Sequence, residues 1–181
     1  MKSITNSITS SHYIQRLAFD YIETYSLQRG DEYEAALKVL KPEYNRLKVK
    51  KEKRNNLTET EEIRLSELDT LLGVTQYLID DTGRFHFSSQ RINTFQYDNE
   101  AVSLLKNILL AKTTDVSHWM CAPIYRDAIV FYKNSGEIVS VLNICLSCEA
   151  MAIDCSNQIV AGSGTYEMLR KFFKDIGHPV E

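Results

Sequence analysis

Glycine and proline are scarce, at 7 and 3 of 181 residues. That shortage argues against a collagen-like or loop-dominated chain and favours long helices. Long apolar runs are missing too. The longest, such as residues 138–146, falls far short of a bilayer, so no membrane partner is expected. Residues 1–6 contain no apolar segment ahead of a small-residue cleavage site, which makes a cytoplasmic location the default expectation. Neither sign of charge dominates: 21 Lys and Arg stand against 24 Asp and Glu, for a formal net charge of −3. Composition therefore gives no general case for nucleic acid. The one basic run, residues 48–54, lacks interleaved aromatics for base stacking and reads as a solvated helix end. A Gly-rich phosphate loop, a His-Glu-x-x-His helix and a Gly-x-Ser-x-Gly elbow are all absent, as are solenoid-length repeats and low-complexity linkers.

What is present is an ordinary folded composition, 44% hydrophobic and 25% charged. Ile14, Leu17, Ala18, Tyr21, Ile22 and Tyr25 follow helical spacing and predict one amphipathic helix over 11–27, ended by Gly30. Asp31 can cap a second helix with Tyr33, Ala36, Leu37, Leu40, Tyr44 and Leu47 on one face, either kinked or restarted at Pro42. Thr58 and Glu61 form a capping box ahead of Leu65, Leu68, Leu72, Thr75 and Ile79. The short connection predicts that the second and third helices form an antiparallel helical hairpin. A short strand is expected over 84–88, then a helix capped by Asp98 with Tyr97 and Val102 as a hydrophobic staple.

Beyond residue 115 the pattern turns to β. Residues 128–132 and 138–144 flank Lys133-Asn134-Ser135-Gly136-Glu137, a strong hairpin signal. A further strand is expected over 150–154 and a closing helix from about Thr165, with Tyr166, Leu169, Phe173 and Ile176 inward. The fold class is α+β: N-terminal helices including the antiparallel hairpin, then a small helix-backed antiparallel sheet. Residues 1–80 form a helical region and 81–181 an α+β region carrying the cysteines, packed as one compact unit.

Cysteines are the leading chemical signal. Cys145 and Cys148 form a Cys-x-x-C at the end of the hairpin, and Cys155 follows. With the turn centred on 134–136, residues whose numbers sum to about 270 face each other, which brings Cys121 toward Cys148. Three readings stay open. As a zinc site, Cys121, Cys145 and Cys148 would be ligands, with Cys155, His118 or His178 as the fourth. As a redox site, the Cys-x-x-C lacks the strand-to-helix setting of a thioredoxin motif. As packing, the cysteines are small buried hydrophobes. Asp115, Ser117 and His118 gather before Cys121 without defining a catalytic geometry, and Tyr125-Arg126-Asp127 reads as a surface ion pair where a strand begins.

The block Cys121-Ala122-Pro123 through Phe131-Tyr132, followed by Ile144-Cys145-Leu146-Ser147-Cys148, resembles a group of uncharacterised bacterial proteins. Their shared pattern is a cysteine near a proline, an aliphatic-Phe-Tyr strand, a turn and a strand ending in Cys-x-x-Cys. Tyr166, Leu169, Phe172 and Phe173 continue the resemblance, which spans residues 115–177. It implies a bacterial source and one motif holding Cys121, Cys145 and Cys148, but no activity. The expected function is a protein-interaction or accessory protein of immunity type, with a protein partner and a structural cysteine cluster. The alternative is a thiol- or zinc-dependent enzyme using the same three cysteines.

Overall fold

A computed structural model describes residues 6–54, 56–73, 75–116 and 122–180. Along the chain run β1 (Asn6–Thr9), α1 (Ser10–Arg16), β2 (Tyr21–Ser26), α2 (Asp31–Arg54), α3 (Glu59–Leu72), β3 (Gln90–Gln96), α4 (Glu100–Leu110), β4 (Asp127–Tyr132), β5 (Ile138–Cys145), β6 (Ala150–Ala152), β7 (Asn157–Val160) and α5 (Ser163–Asp175). The class is α+β.

The sheet corrects the expectation of a small antiparallel one. It has seven strands in the order β1-β7-β6-β5-β4-β2-β3, and its β1–β7 pair is parallel. β1 and β2 come from the first 80 residues and join the same sheet as β4–β7.

The helix expected over 11–27 is also corrected. Its first half is α1, but Tyr21–Ser26 is a strand between β3 and β4. Apolar residues on both sides of a buried strand mimic helical spacing when read alone. Ile22 and Thr24 face one side, whereas Tyr21, Glu23 and Tyr25 face the other. Aromatic and β-branched residues suit that extended, two-sided position.

α3 starts with the expected capping box, Thr58 and Glu61 satisfying each other's backbone N–H groups. It ends at Leu72, so Thr75 and Ile79 fall outside the helix they were expected to continue, and Leu78 is buried on the sheet with Ile79 packed beside it. α2 is continuous through Pro42. In place of a strand over 84–88 there is one bridge, Ile79 to Phe85, and β3 begins later. The cap of α4 is Asn99, whose side chain accepts from the Ala101 N–H, and Tyr97 is exposed at 47% instead of acting as a staple.

β4 and β5 pair as the turn predicts. Tyr132 faces Ile138, then a bulge moves the register by one residue so that Asp127 faces Ile144. Gly136, at φ +85°, supplies the left-handed turn residue.

Two apolar clusters sandwich the sheet. On one face Ile22, Ile129, Phe131, Leu142 and Ile144 meet residues from α1, α4 and α5 such as Tyr13, Leu105 and Phe173. On the other, Tyr25, Val130 and Tyr132 lie under Leu78 and Ile79. Asn143 fastens that cover. Buried on β5, it accepts from the Leu78 N–H at 2.8 Å and donates to the Ala152 and Ile153 carbonyls. α2 and α3 share a separate cluster built on Leu47, Leu65 and Leu68. Among the described residues no helix is long and apolar enough to cross a membrane.

Candidate functional site

Asp127 opens β4 and is almost fully buried, contrary to the surface ion pair expected there. Its Oδ2 accepts from Arg29 Nη2 and its Oδ1 faces His178 Nδ1, both at 2.8 Å. His178 follows α5, where Gly177 at φ +87° turns the chain back onto the sheet. The other ring nitrogen, Nε2, lies 2.9 Å from Thr24 Oγ1 on β2. Asn93 Nδ2 donates to the same hydroxyl at 3.4 Å and to the Ile176 carbonyl at 2.8 Å.

A carboxylate can only accept, so Nδ1 carries a hydrogen to Asp127; the Thr24 hydroxyl accepts from Asn93, and with the ring in its neutral form Nε2 is an acceptor for the hydroxyl hydrogen. This is the polarity of a hydroxyl–imidazole–carboxylate triad. Access decides against that use: Thr24, His178 and Asp127 are 0%, 4% and 2% exposed, so no substrate reaches the hydroxyl in this conformation. The group instead ties the turn after α5 to β2 and β4.

Arg29 connects this buried group to an open cleft. Its Nη1 donates to the Pro179 carbonyl, while its Nε is buried without an acceptor among the described residues. A cavity of about 250 Å³ is lined by Arg29, Arg126, Arg170, Ser147 and Pro179 among others. A second, of about 300 Å³, is lined by Tyr33, Leu37, Leu72 and Gln76. The two share Gln28, Glu34, Ile124 and Arg126, which makes them one cleft between the start of α2 and the sheet end that carries Asp127.

Gln28 shapes the floor. It sits at φ 55° just past β2, a left-handed conformation uncommon for a residue with a side chain. Its N–H donates to Ser88 Oγ, and its amide donates to the Tyr125 carbonyl at 2.9 Å and toward that of Gln76. Arg126 is held by its backbone, which accepts from the Leu27 N–H and donates to the Ile144 carbonyl. Its guanidinium is exposed and makes no hydrogen bond or ion pair with any described residue. Burial pushes the Tyr33 phenol up; Glu34 adds to that shift and Arg126 opposes it. His86 backs this wall. Ser88 N–H donates to its Nδ1, so Nε2 carries the hydrogen and donates to Gln76 Oε1. Burial brings His86 down to about 4, so it is neutral near pH 7.

The cysteines lie elsewhere. Cys145 is a buried free thiol packed with Tyr125 and Ala152. Cys148, in the β5–β6 turn, lies against that cluster, 4.0 Å from the Ala122 carbonyl, and is disulfide-bonded. Cys155 is a free, exposed thiol between β6 and β7. The expected partners Cys121 and His118 lie outside the described residues. Both His178 nitrogens are engaged by Asp127 and Thr24, which removes it as a fourth ligand in this conformation. Among the described residues no three His, Cys, Asp or Glu side chains group as a metal site would require.

Sequence reading weighed His178 only as a metal ligand and missed Thr24 and Arg29. A carboxylate heading the apolar run Asp127-Ala128-Ile129-Val130-Phe131-Tyr132 was the available signal, because a charge beside such a strand needs a partner. Nothing comparable marks Thr24. No family model, curated protein or solved structure matches the chain.

Proposed function

We propose that the chain is a protein-interaction or accessory protein that holds its ligand without transforming it, in the cleft between α2 and the sheet. One contrast carries the reading. The Thr24 hydroxyl and His178 imidazole are sealed in the interior, whereas Arg126 presents, from a backbone fixed on both sides, a guanidinium with no partner among the described residues. Arg29 and Gln28 contribute preformed walls, the arrangement that limits the ordering cost of binding. Cys145, packed with Tyr125 behind this end of β4, has a structural role in this reading.

In the same reading α2 and α3 act as an antiparallel helical hairpin whose base forms one lip of the cleft. Cross-helix pairs support it: Glu43 with Arg64, Tyr44 with Asp69, and Lys50 with Glu61. Lys50, late in α2, meets Glu61 early in α3, whereas Tyr44, further back along α2, meets Asp69 further along α3.

A library of small soluble fragments, screened by ligand-observed NMR, tests the function. Hits should bind the native chain, remain chemically unchanged, and be lost when Ile124→Trp fills the shared wall. Conversion of any hit that Thr24→Val abolishes would replace this reading with a catalytic one. Hits that ignore Ile124→Trp would remove the cleft from it.

A further inference from the structure

We infer that the cleft takes a primary carboxamide, whose N–H donates to Gln28 Oε1 and whose carbonyl accepts from Arg126, with an apolar substituent toward Tyr33 and Leu37. This rests on the cleft being the binding site. Gln28 is more than nine-tenths buried, at 6% exposed, and lines both cavities. Two carbonyls fix which way its amide points. The NH₂ donates to the Tyr125 carbonyl at 2.9 Å and lies 3.5 Å from that of Gln76, so the nitrogen faces the backbone and Oε1 faces away. Oε1 accepts from no described residue. It is not sealed either. Among the described residues the buried side-chain atoms without a partner are Ser10 Oγ, Arg29 Nε and Thr113 Oγ1. Gln28 Oε1 therefore keeps accessible surface, and it keeps it on the cavities that Gln28 lines.

The backbone holds this amide in place at a conformational cost. At φ 55° Gln28 occupies the left-handed region, which a glycine would adopt freely, and the Ser88 hydroxyl accepts its N–H. Arg126 stands beside it. One step past the last β2–β4 pair, Ser26 with Asp127, the Leu27 N–H donates to the Arg126 carbonyl. The Gln28 amide reaches the Tyr125 carbonyl next to it. An acceptor and a donor fork therefore enter one cleft from neighbouring strand ends, each without a described partner. One edge of a primary carboxamide carries the complementary pair, an N–H and a carbonyl oxygen side by side. A carboxylate would satisfy Arg126 but set an oxygen against Gln28 Oε1, in cavities that Glu34 also lines. An ammonium would satisfy Gln28 and face the Arg126 charge. Tyr33, Leu37 and Leu72 line the adjoining cavity of about 300 Å³ and suit an apolar substituent.

The test titrates the whole chain with benzamide, N,N-dimethylbenzamide and benzoate, reading affinity by ligand-observed NMR and contact by the ¹⁵N shift of the Gln28 side-chain amide. Benzamide should bind about fivefold tighter than its dimethyl form, the worth of one hydrogen bond, and should shift the Gln28 signal. That comparison on the native chain needs no variant. Gln28→Gly, which suits φ 55°, should erase the preference, and Arg126→Met should weaken benzamide to a similar extent. Arg84→Gln, on the exposed Asp80 loop, should change nothing. Equal binding of both amides, or a preference for benzoate that Gln28→Gly leaves intact, would overturn the carboxamide subsite and leave the cleft reading standing. Library hits that Ile124→Trp abolishes, with no binding of benzamide, would do the same. Binding of benzamide that survives Ile124→Trp would overturn both.

Discussion

His178 Nδ1 lies 2.8 Å from Asp127 Oδ1 and joins residues 51 positions apart. Because Asp127 also holds Arg29, and His178 also holds Thr24, this one hydrogen bond links the end of α5, β2, β4 and the cleft wall. His178→Ala should lower unfolding free energy by about 2–4 kcal/mol, since it strands a buried carboxylate oxygen and a buried hydroxyl together. Urea unfolding measures it. A loss under about 0.5 kcal/mol, the size of an ordinary surface change, would mean the tail is held by its apolar contacts alone.

Asn143→Leu should be similarly costly, about 2–3 kcal/mol, despite the matched volume. It removes the acceptor for the buried Leu78 N–H and both donors to the Ala152 and Ile153 carbonyls. Hydrogen exchange at Leu78 should accelerate, and slow exchange there in the variant would place the anchor of this segment elsewhere.

Stability should fall as pH drops from about 6.5 to about 4. The folded chain keeps His86 neutral down to about 4, whereas an unfolded histidine takes up a proton near 6.5. Between those values the unfolded state binds more protons, so acid favours it; above 6.5 this contribution is constant. The difference in stability between wild type and His86→Gln should therefore slope across that window and be flat above it. An unchanged pH profile would show that His86 is not the source.

Thiol reactivity should sort the cysteines by setting. Cys155 should react with an aromatic disulfide in native protein, Cys145 only after unfolding, and Cys148 only after reduction. Zinc bound at one per chain in protein purified without chelator, with Cys145 protected by that metal, would support zinc held by Cys121, Cys145 and Cys148.

Thr58→Ala should cost about 1 kcal/mol and Thr58→Ser much less, because the hydroxyl accepts from the Glu61 N–H at the start of α3. Exchange of the first α3 amides reads it locally. Equal effects of the two substitutions would show that the cap contributes nothing.

Local chemistry was legible in the residues themselves. Thr58 and Glu61 mark a helix start because both partners of the capping box lie within one turn. The β4–β5 register followed from the turn because Gly136, at φ +85°, takes the left-handed position that closes it. α4 and α5 were readable because each buries one face. β2 was not: buried on both faces, Tyr21-Ile22-Glu23-Thr24-Tyr25 has no polar side to betray its period, and only pairing with β3 and β4 makes it a strand.

The sequence by itself determined which segments could be capped, turned or buried, since those preferences act within a few residues. The tertiary structure alone decided that Thr24 meets His178, 154 positions away, and that Arg29 and Arg126 line one cleft. Those meetings depend on the order of strands in the sheet and on where Gly177 returns the chain. Contacts between distant residues leave no periodicity in the sequence, because their cost in chain entropy is repaid only when the whole sheet assembles.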